Sequence, residues 1–366
     1  MKFICDKNNL SDAINTVQKA VSQKSTLPVL EGILIECGES KIILTGNDLE
    51  IGIRYECPAQ ILEEGTIVLN SRMFGDIVRK LPDAPVQIES DDKYLTKIKC
   101  GKVNFDISGI DPQEFPRIAD INRDFSFNIK NNVLRSIIKQ TIYVIPQTST
   151  RPVLTGAYFE VENNKLSVVG SDRFRVAIRN EIIDETNKNF HAIIPVRTLG
   201  ELLKVLKDDE TYLRMYFSDK NVLFEFDDFI VLSRLRDGEY INYKNAIPQD
   251  FAFTVKCNVA DLENAVDRAS LIISNESVKS PLTLNIRTGE IEISCSSASG
   301  KINDTISVDC DCQPFEIKFN LKFLLDSLKN CDCEEILMRF ITAGSPCVIE
   351  PVEGNEFMYL VLPMLK

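Results

Sequence analysis

The chain has 366 residues, 44% of them hydrophobic, and its 54 acidic and 42 basic residues give a formal net charge of −12. This length suits two or three domains with their own cores, and the mixed composition excludes a low-complexity or disordered chain. No apolar run approaches the ~20 residues of a membrane span, no signal segment is expected after Lys2, and the negative charge argues against an ordinary DNA-binding surface.

The first predicted elements are a strand and a helix near the N-terminus. Residues alternate in polarity from Lys2 to Cys5, which predicts a strand. Apolar residues at helical spacing then predict a helix over 10–22, with Ser11 or Asp12 near its N-cap. The remaining elements of this part are a strand pair, Gly32 to Glu36 with Lys41 to Thr45, and a second helix over 71–81.

This order of elements recurs twice along the chain. The segment that begins at Arg72 (RMFGDIV) realigns with segments that begin at Arg197 and Lys322, and successive starting points lie 125 residues apart. Segment 27–32 (LPVLEG) likewise realigns with segment 151–156 (RPVLTG). Markers repeated in the same order predict three copies of one domain. The predicted boundaries are 1–122, 123–249 and 250–366.

Each copy is predicted to be an α+β domain with two helices packed on one face of antiparallel sheet. In the second copy, Asn163 and Asn164 mark a turn between two strands. The strands predicted in the second and third copies are Phe125 to Ile129, Ala157 to Val161, Lys165 to Val169 and Phe251 to Val255. Their helices are predicted over 131–145, 197–207, 259–272 and 320–330.

The six predicted helices differ in charge from the rest of the chain. They hold twelve basic and seven acidic residues, so their sum is +5 and the remainder of the chain sums to −17. For a single helix, a few extra lysines on a solvated face would be the simpler interpretation. Six related helices favour a continuous positive surface, which suits a phosphate backbone bound without sequence preference.

Two cysteine pairs raise the question of a metal site. Cys310 with Cys312 and Cys331 with Cys333 are spaced C-x-C, which is tighter than the usual spacing in zinc sites, and the only histidine is the distant His191. The eleven cysteines are odd in number and scattered. We therefore expect free thiols in a reducing cytoplasm, no metal and no cofactor.

An enzyme is the rival class of function. A nucleophilic triad usually needs a histidine base, and we expect a structural role for His191. The chain has no P-loop, no G-x-S-x-G and no dinucleotide-binding glycine motif. Acidic pairs at 91–92, 208–209 and 227–228 could suggest magnesium ligands, but we expect them at exposed hairpin tips. The sequence therefore favours a protein without catalytic activity.

Five segments carry a likeness to a known family. They are LPVL at 27–30, DPQEFP at 111–116, RPVLTG at 151–156, GSDRFRVA at 170–177 and LPM at 362–364. Together with the length and the triplication, they make the whole chain resemble the bacterial DNA polymerase III beta subunit family, the sliding clamps. The resemblance implies a head-to-tail homodimer that forms a six-domain ring around duplex DNA and confers processivity. It also implies partners: the replicative polymerase alpha subunit, the clamp loader, and repair polymerases and mismatch-repair proteins that bind through short linear motifs.

The resemblance also implies an apolar peptide groove between the second and third domains. The matching residues are Leu154, Ser171, Phe174, Arg175, Val176, Ile241, Asn245, Ala246, Phe323, Pro346, Leu360, Leu362 and Met364. Three family positions differ, because Phe174 replaces a histidine, Ile241 begins the segment that usually reads Pro-Asp-Tyr, and Asn245 replaces an arginine. We expect a groove whose preferred motif differs. Closure of a sheet by the tail is an equally simple interpretation of Leu360 and Leu362.

Contacts with DNA and with a second copy follow by matched position. The resemblance gives Lys24, Arg72, Gln147, Arg151 and Arg197 as DNA contacts, and the helix charges add Arg79, Lys139 and Lys204. It gives Ile107, Leu271 and Ile272 as dimer-interface residues, and segment 297–301 lacks the acidic residues common there. A scaffold that binds peptides without encircling DNA is a second hypothesis, and it would lack the positive helical lining.

Overall fold

The computed structural model describes residues 1–22, 24–118, 121–123, 125–183, 189–273 and 280–364. The helices are α1 (Lys7–Val17), α2 (Ser71–Lys80), α3 (Asn131–Ile142), α4 (Val196–Leu202), α5 (Val259–Ile273) and α6 (Leu321–Leu328). The strands are β1 (Lys2–Cys5), β2 (Gly32–Gly38), β3 (Lys41–Asn47), β4 (Ile51–Pro58), β5 (Gln60–Glu63), β6 (Gly65–Asn70), β7 (Val86–Ser90), β8 (Leu95–Cys100), β9 (Val103–Ser108), β10 (Phe125–Lys130), β11 (Gly156–Glu162), β12 (Lys165–Ser171), β13 (Arg175–Ile182), β14 (Phe190–Pro195), β15 (Tyr212–Phe217), β16 (Asn221–Glu225), β17 (Phe229–Arg234), β18 (Phe253–Asn258), β19 (Leu282–Arg287), β20 (Glu290–Ser297), β21 (Gly300–Ser307), β22 (Phe315–Phe319), β23 (Glu335–Phe340), β24 (Cys347–Pro351) and β25 (Phe357–Val361).

The chain divides into two compact units. The first comprises Met1–Asn132 with Lys204–Leu235, and the second comprises Val133–Leu203 with Arg236–Lys366. Both units are built from antiparallel sheets and short helices, as the alternating and helical patterns predicted. Among the described helices, none has the length and apolar character that a membrane span requires.

The first unit contains two antiparallel sheets. One has the strand order β5-β1-β7-β8-β9, and the other has the order β10-β15-β16-β17-β4-β3-β2-β6. The central pairing of the larger sheet joins β17 to β4, with Val231 opposite Ile53. Strands from the first and second thirds of the sequence therefore share one hydrogen-bonded sheet.

The second unit repeats this arrangement. Its larger sheet has the order β14-β11-β12-β13-β25-β24-β23-β18, and its smaller sheet has the order β21-β20-β19-β22. The central pairing joins β13 to β25, with Val176 opposite Leu360. Strands from the second and third thirds thus also share one sheet.

Helix ends show where local chemistry overrides the apolar pattern. Helix α1 begins at Lys7, because the Asp6 carboxylate accepts hydrogen bonds from two backbone N–H groups of the first turn. The prediction of a cap near Ser11 or Asp12 was therefore wrong. Helix α4 ends at Leu202, well before residue 207, and Arg135 Nη1 donates to the carbonyl of Leu203 just beyond it at 2.8 Å.

Most of the predicted turns are confirmed, and one is wrong. Asn163 and Asn164 both have positive φ, 51° and 62°, as a two-residue hairpin turn between β11 and β12 requires. The acidic pairs at 91–92 and 227–228 are exposed at hairpin tips. The pair at 208–209 lies between α4 and β15, where Asp209 Oδ1 accepts from Asn131 Nδ2 at 3.0 Å. For that pair the prediction of a hairpin tip was wrong.

Candidate functional site

All thirteen residues predicted for the peptide groove lie in the second unit. The turn between β12 and β13 positions the first group of them. The Asp172 carboxylate accepts from the backbone N–H groups of Phe174 and Arg175, both at 3.0 Å, and the Ser171 hydroxyl donates to the Arg175 carbonyl. Arg173 completes the turn with φ of 80°. This bonded turn leaves the Phe174 ring 57% exposed.

An apolar floor lies beside this turn. Leu154, Val176 and Leu360 are almost fully buried in one cluster, against which the half-buried Ile241 packs. The cluster also contains residues that the sequence did not indicate as part of the site: Val169, Ile178, Ile193, Tyr240, Tyr243 and Val348. The buried position of Leu360 in β25 fits sheet closure, the interpretation left open from the sequence.

Two aromatic rings form an aromatic wall among the residues predicted for the groove. Phe174 and Phe323 stack with ring centroids 6.0 Å apart and an interplanar angle of 26°. The Arg175 guanidinium lies 4.4 Å from the centroid of Phe323. A cation over a ring face is attracted by the ring quadrupole, so this contact fixes the inner ring and leaves the outer one accessible.

Arg175 is the electrostatic centre of the wall. Its side chain is only 8% exposed, its Nε donates to Asp172 at 2.9 Å, and its Nη1 donates to Asp326 at 2.8 Å. Nη2 donates to the Tyr143 carbonyl at 3.3 Å. Burial raises the pKa of the Tyr143 phenol. The repeated carboxylate of the 125-residue motif, here Asp326, was the available signal for this contact.

The chain end borders the same turn. The Leu362 N–H donates to the Phe174 carbonyl at 2.9 Å, and the Met364 N–H donates to the Lys318 carbonyl at 2.7 Å. Leu362 is 38% exposed and Met364 is half-buried. The side chains of both residues therefore remain partly accessible.

The remaining groove candidates lie on connecting segments. Asn245 and Ala246 are exposed on a 3₁₀ turn, and Pro346 is half-buried just before β24. Tyr243 in the 3₁₀ turn donates its hydroxyl to Glu160 at 2.7 Å, and burial together with that carboxylate raises the pKa of the phenol. The turn is thereby tied to β11.

The predicted DNA contacts are exposed in both units. Lys24, Arg72, Arg79 and Lys204 belong to the first unit, and Lys139, Gln147, Arg151 and Arg197 belong to the second. On α2, Arg79 pairs with Asp76 and its Nη1 donates to Asn15 of α1 at 3.1 Å. The Arg79 guanidinium is thus held at the surface next to α1.

The predicted interface residues lie near two sheet edges. Strand β9, which carries the half-buried Ile107, is the outermost strand of its sheet in the first unit. Strand β21 is the outermost strand of its sheet in the second unit, and helix α5 packs on β20 and β21. Leu271 is 74% exposed at the end of α5, and the carbonyl of its neighbour Ile272 accepts from the Ser297 hydroxyl at 2.9 Å.

No metal centre is evident in the part of the chain that the structure describes. Within it, no three His, Cys, Asp or Glu side chains are grouped so that they could hold an ion. All eleven cysteines are free thiols, and Cys310 is buried while Cys312 is half-buried. His191 lies exposed on β14, with its ring centroid 5.9 Å from that of Tyr158.

Comparison with known proteins covers the chain from end to end. Models of the N-terminal, central and C-terminal domains of the DNA polymerase III beta subunit match residues 1–119, 128–242 and 244–365. The beta sliding clamp of Bacillus subtilis is 33% identical over 376 residues, covering 100% of this chain and 99% of that protein. The corresponding protein of Staphylococcus epidermidis is 31% identical over 374 residues, with the same coverage.

Solved structures show the same similarity. A crystal structure of a putative DNA polymerase III beta subunit from Eubacterium rectale has a TM-score of 0.97 and 35% identity, with 100% of both chains covered. The DNA polymerase sliding clamp from Bacillus subtilis has a TM-score of 0.97 and 32% identity, with 100% and 99% covered.

Proposed function

Because the chain belongs to the DNA polymerase III beta subunit family, and is therefore a DNA sliding clamp of three tandem clamp domains, we propose that its partners dock beside Phe174. A protein of this family is a processivity factor and not a catalytic subunit. The domain boundaries 1–122, 123–249 and 250–366 and a cytoplasmic location are part of this proposal.

The observation that best supports a peptide groove is an exposed aromatic ring beside a buried apolar cluster. Contiguous exposed apolar surface marks an interaction site, whereas a single exposed apolar residue does not. Phe174 is the exposed ring, Phe323 stacks on it, and Leu154 and Leu360 belong to the buried apolar cluster beside the turn. The groove therefore suits a short peptide that inserts apolar side chains.

We propose that the peptides come from several replication and repair proteins. They are the replicative polymerase alpha subunit, the clamp loader, repair polymerases and mismatch-repair proteins. All of them would compete for one groove, since each would insert the same kind of apolar side chain. The aromatic wall of Phe174 and Phe323 favours motifs with a planar or aromatic residue, because ring pairs add to the energy of apolar burial.

We further propose that a head-to-tail homodimer closes a ring around duplex DNA. Edge strands present unpaired backbone groups that can pair with another chain, and β9 and β21 are such edges, one in each unit. Ile107, Leu271 and Ile272 would then meet across the seam. The exposed basic residues of the helices would neutralise phosphates without reading bases.

Retention on circular DNA tests this function. The protein is loaded on a nicked circle by a bacterial clamp loader with ATP, washed at high salt, and assayed before and after the circle is cut. Topological linkage predicts retention on the circle and loss on linearisation. Binding that is indifferent to cutting and disappears with salt would support the peptide-binding scaffold instead.

The groove is tested separately with a peptide. A fluorescein-labelled peptide from the C-terminus of a bacterial polymerase alpha subunit is titrated by fluorescence anisotropy. The Phe174→Ala variant should bind it at least about fivefold more weakly, as loss of an aromatic anchor at an interface does. Tyr212→Ala removes an aromatic ring that is 61% exposed in the first unit and is the matched control. Equal affinity of the two variants would refute the assignment of Phe174.

A further inference from the structure

A second groove lies in the first unit. It has a volume of about 390 Å³, and the turn between β3 and β4 forms one side of it. The other lining residues come from the chain after the 3₁₀ turn at Pro112–Glu114, from Lys220 just before β16, and from strands β16 and β17. The lining includes Leu49, Glu50, Arg117, Ile118, Leu232 and Arg234.

The turn of this groove has the same backbone hydrogen bonds as the turn that carries Phe174. The Asp48 carboxylate accepts from the N–H groups of Glu50 and Ile51, at 3.0 and 2.9 Å, as Asp172 does in the second unit. The N–H of Arg234 donates to the Glu50 carbonyl at 2.9 Å, which is also the distance from the N–H of Leu362 to the Phe174 carbonyl. The first unit therefore holds a backbone copy of the proposed peptide site.

The side chains on this backbone copy differ from those of the first groove. Leu49 takes the place of Arg173, with φ of 76° against 80°. A leucine in the left-handed region is sterically disfavoured, and such positions cluster at sites of function. Leu49 is also 58% exposed, and the half-buried Ile118 and Leu232 provide further apolar surface in the groove.

The charged residues that line the groove indicate which kind of ligand it binds. Three cations, Arg117, Lys220 and Arg234, line it against one carboxylate, Glu50, although the whole chain carries −12. Arg117 lies 3.5 Å from a Glu36 oxygen, but its side chain is 79% exposed, so that ion pair contributes little. The apolar centre does not suit a phosphate backbone, whereas an apolar residue flanked by carboxylates suits both features.

We infer that this groove is a second docking site, which binds an extended acidic peptide with apolar side chains. Leucine-type side chains of the partner pack on Leu49 and Ile118, and its carboxylates pair with Arg117, Lys220 and Arg234. The site goes beyond the proposed function and does not depend on occupancy of the Phe174 groove. A partner could therefore bind here while another occupies that groove.

The test uses two labelled peptides and the full-length protein. One probe is a capped hexapeptide of alternating aspartate and leucine, and the other has lysine in place of aspartate. Both are titrated by fluorescence anisotropy at low salt against the natural protein and against Phe174→Asp. We expect saturable binding of the acidic probe to both proteins and binding of the basic probe that is at least about tenfold weaker, because like charges in an interface disfavour association.

Two variants locate the binding site of the acidic probe. Leu49→Asn keeps the turn, since asparagine tolerates positive φ, and it removes the apolar contact. Arg234→Gln removes one cation. Each variant should bind the acidic probe at least about fivefold more weakly than the natural protein. Arg214→Gln, which removes an exposed arginine on the neighbouring β15, should bind it with unchanged affinity. Unchanged melting temperatures show that the variants are folded.

Three results would overturn the inference. The first is no saturable binding of the acidic probe to the natural protein. The second is binding that Phe174→Asp abolishes, which would place the probe in the other groove and leave the proposed function intact. The third is equal affinity of Leu49→Asn and the natural protein.

Discussion

Replacement of Arg175 by alanine should destabilise the second unit and weaken peptide binding together. The guanidinium is almost fully buried and is bonded to Asp172 and Asp326 at 2.9 and 2.8 Å. Its removal leaves two carboxylates near each other without their cation. It also removes the cation that lies 4.4 Å from the centroid of Phe323.

The magnitude follows from burial. Breaking a buried ion pair by removing one partner costs about 3–5 kcal/mol, because the other charge stays desolvated and uncompensated. Here the side chains of Asp172 and Asp326 are 16% and 27% exposed, so water partly solvates both and the lower end applies. We expect Arg175→Ala to lose about 3 kcal/mol. Arg175→Lys keeps the charge but cannot bond both carboxylates with one planar group, so it should lose less stability than Arg175→Ala.

Urea denaturation at fixed protein concentration measures the loss, and tyrosine fluorescence reports the transition. A fixed concentration matters because association of copies shifts apparent stability. Arg214→Ala is the control, since it removes an arginine that is exposed on β15. The same variants are then titrated with the labelled polymerase peptide, and only those at Arg175 should bind it more weakly.

A fall of less than about 1 kcal/mol in the free energy of unfolding of Arg175→Ala, the size expected for an exposed ion pair, would contradict the proposed role of the buried cation. A fall in stability without a change in peptide affinity would contradict its role in binding. In that case the cation stabilises the unit without orienting Phe323.

Three further predictions concern the seam, the DNA surface and the thiols. Leu271→Lys should shift the protein from dimer to monomer in sedimentation velocity, because it places a charge in an apolar interface, and an unchanged dimer contradicts the seam. Arg79→Gln should reduce the slope of log Kobs against log salt on duplex DNA by about 0.9, and an unchanged slope contradicts a phosphate contact. Burial, together with nearby carboxylates, raises the pKa of Cys257 to about 12 from its ordinary value. The folded thiol keeps its proton while the unfolded one loses it, so Cys257 should contribute about 1.4 kcal/mol per pH unit to the fall in stability between about pH 9 and pH 12, and Cys257→Val should make the decline in urea titrations shallower by that amount.

The features that the sequence revealed are those with a local period. Strand alternation and helical spacing depend on residues a few positions apart, so β1 and α2 were predicted to within one residue. The 125-residue repeat added the number of copies, and the family comparisons confirm the three clamp domains. Helix ends were less predictable, because a single side chain such as Asp6 moved the start of α1.

The burial of Arg175, which the sequence indicated as a groove residue, was hidden for a different reason. An arginine in sequence suggests a surface residue, and the burial of Arg175 depends on Asp326, 151 residues away. The second groove was hidden because the residues that follow the shared aspartate differ. The turns at Leu49 and Arg173 share φ values and an aspartate that accepts two backbone N–H groups, but Leu49 and Glu50 stand where the other turn has Arg173 and Phe174.

The two larger sheets show that the segment repeated in the sequence is not the segment that forms a compact unit. The middle copy gives β10 and β15–β17 to the sheet that holds β2–β4, and it gives β11–β14 to the sheet that holds β23–β25. The borders of the compact units are thus offset from the borders of the repeated segments by about half a repeat. A single copy, cut at its own sequence borders, would leave β4 or β13 without its neighbour and expose a long unpaired edge prone to aggregation.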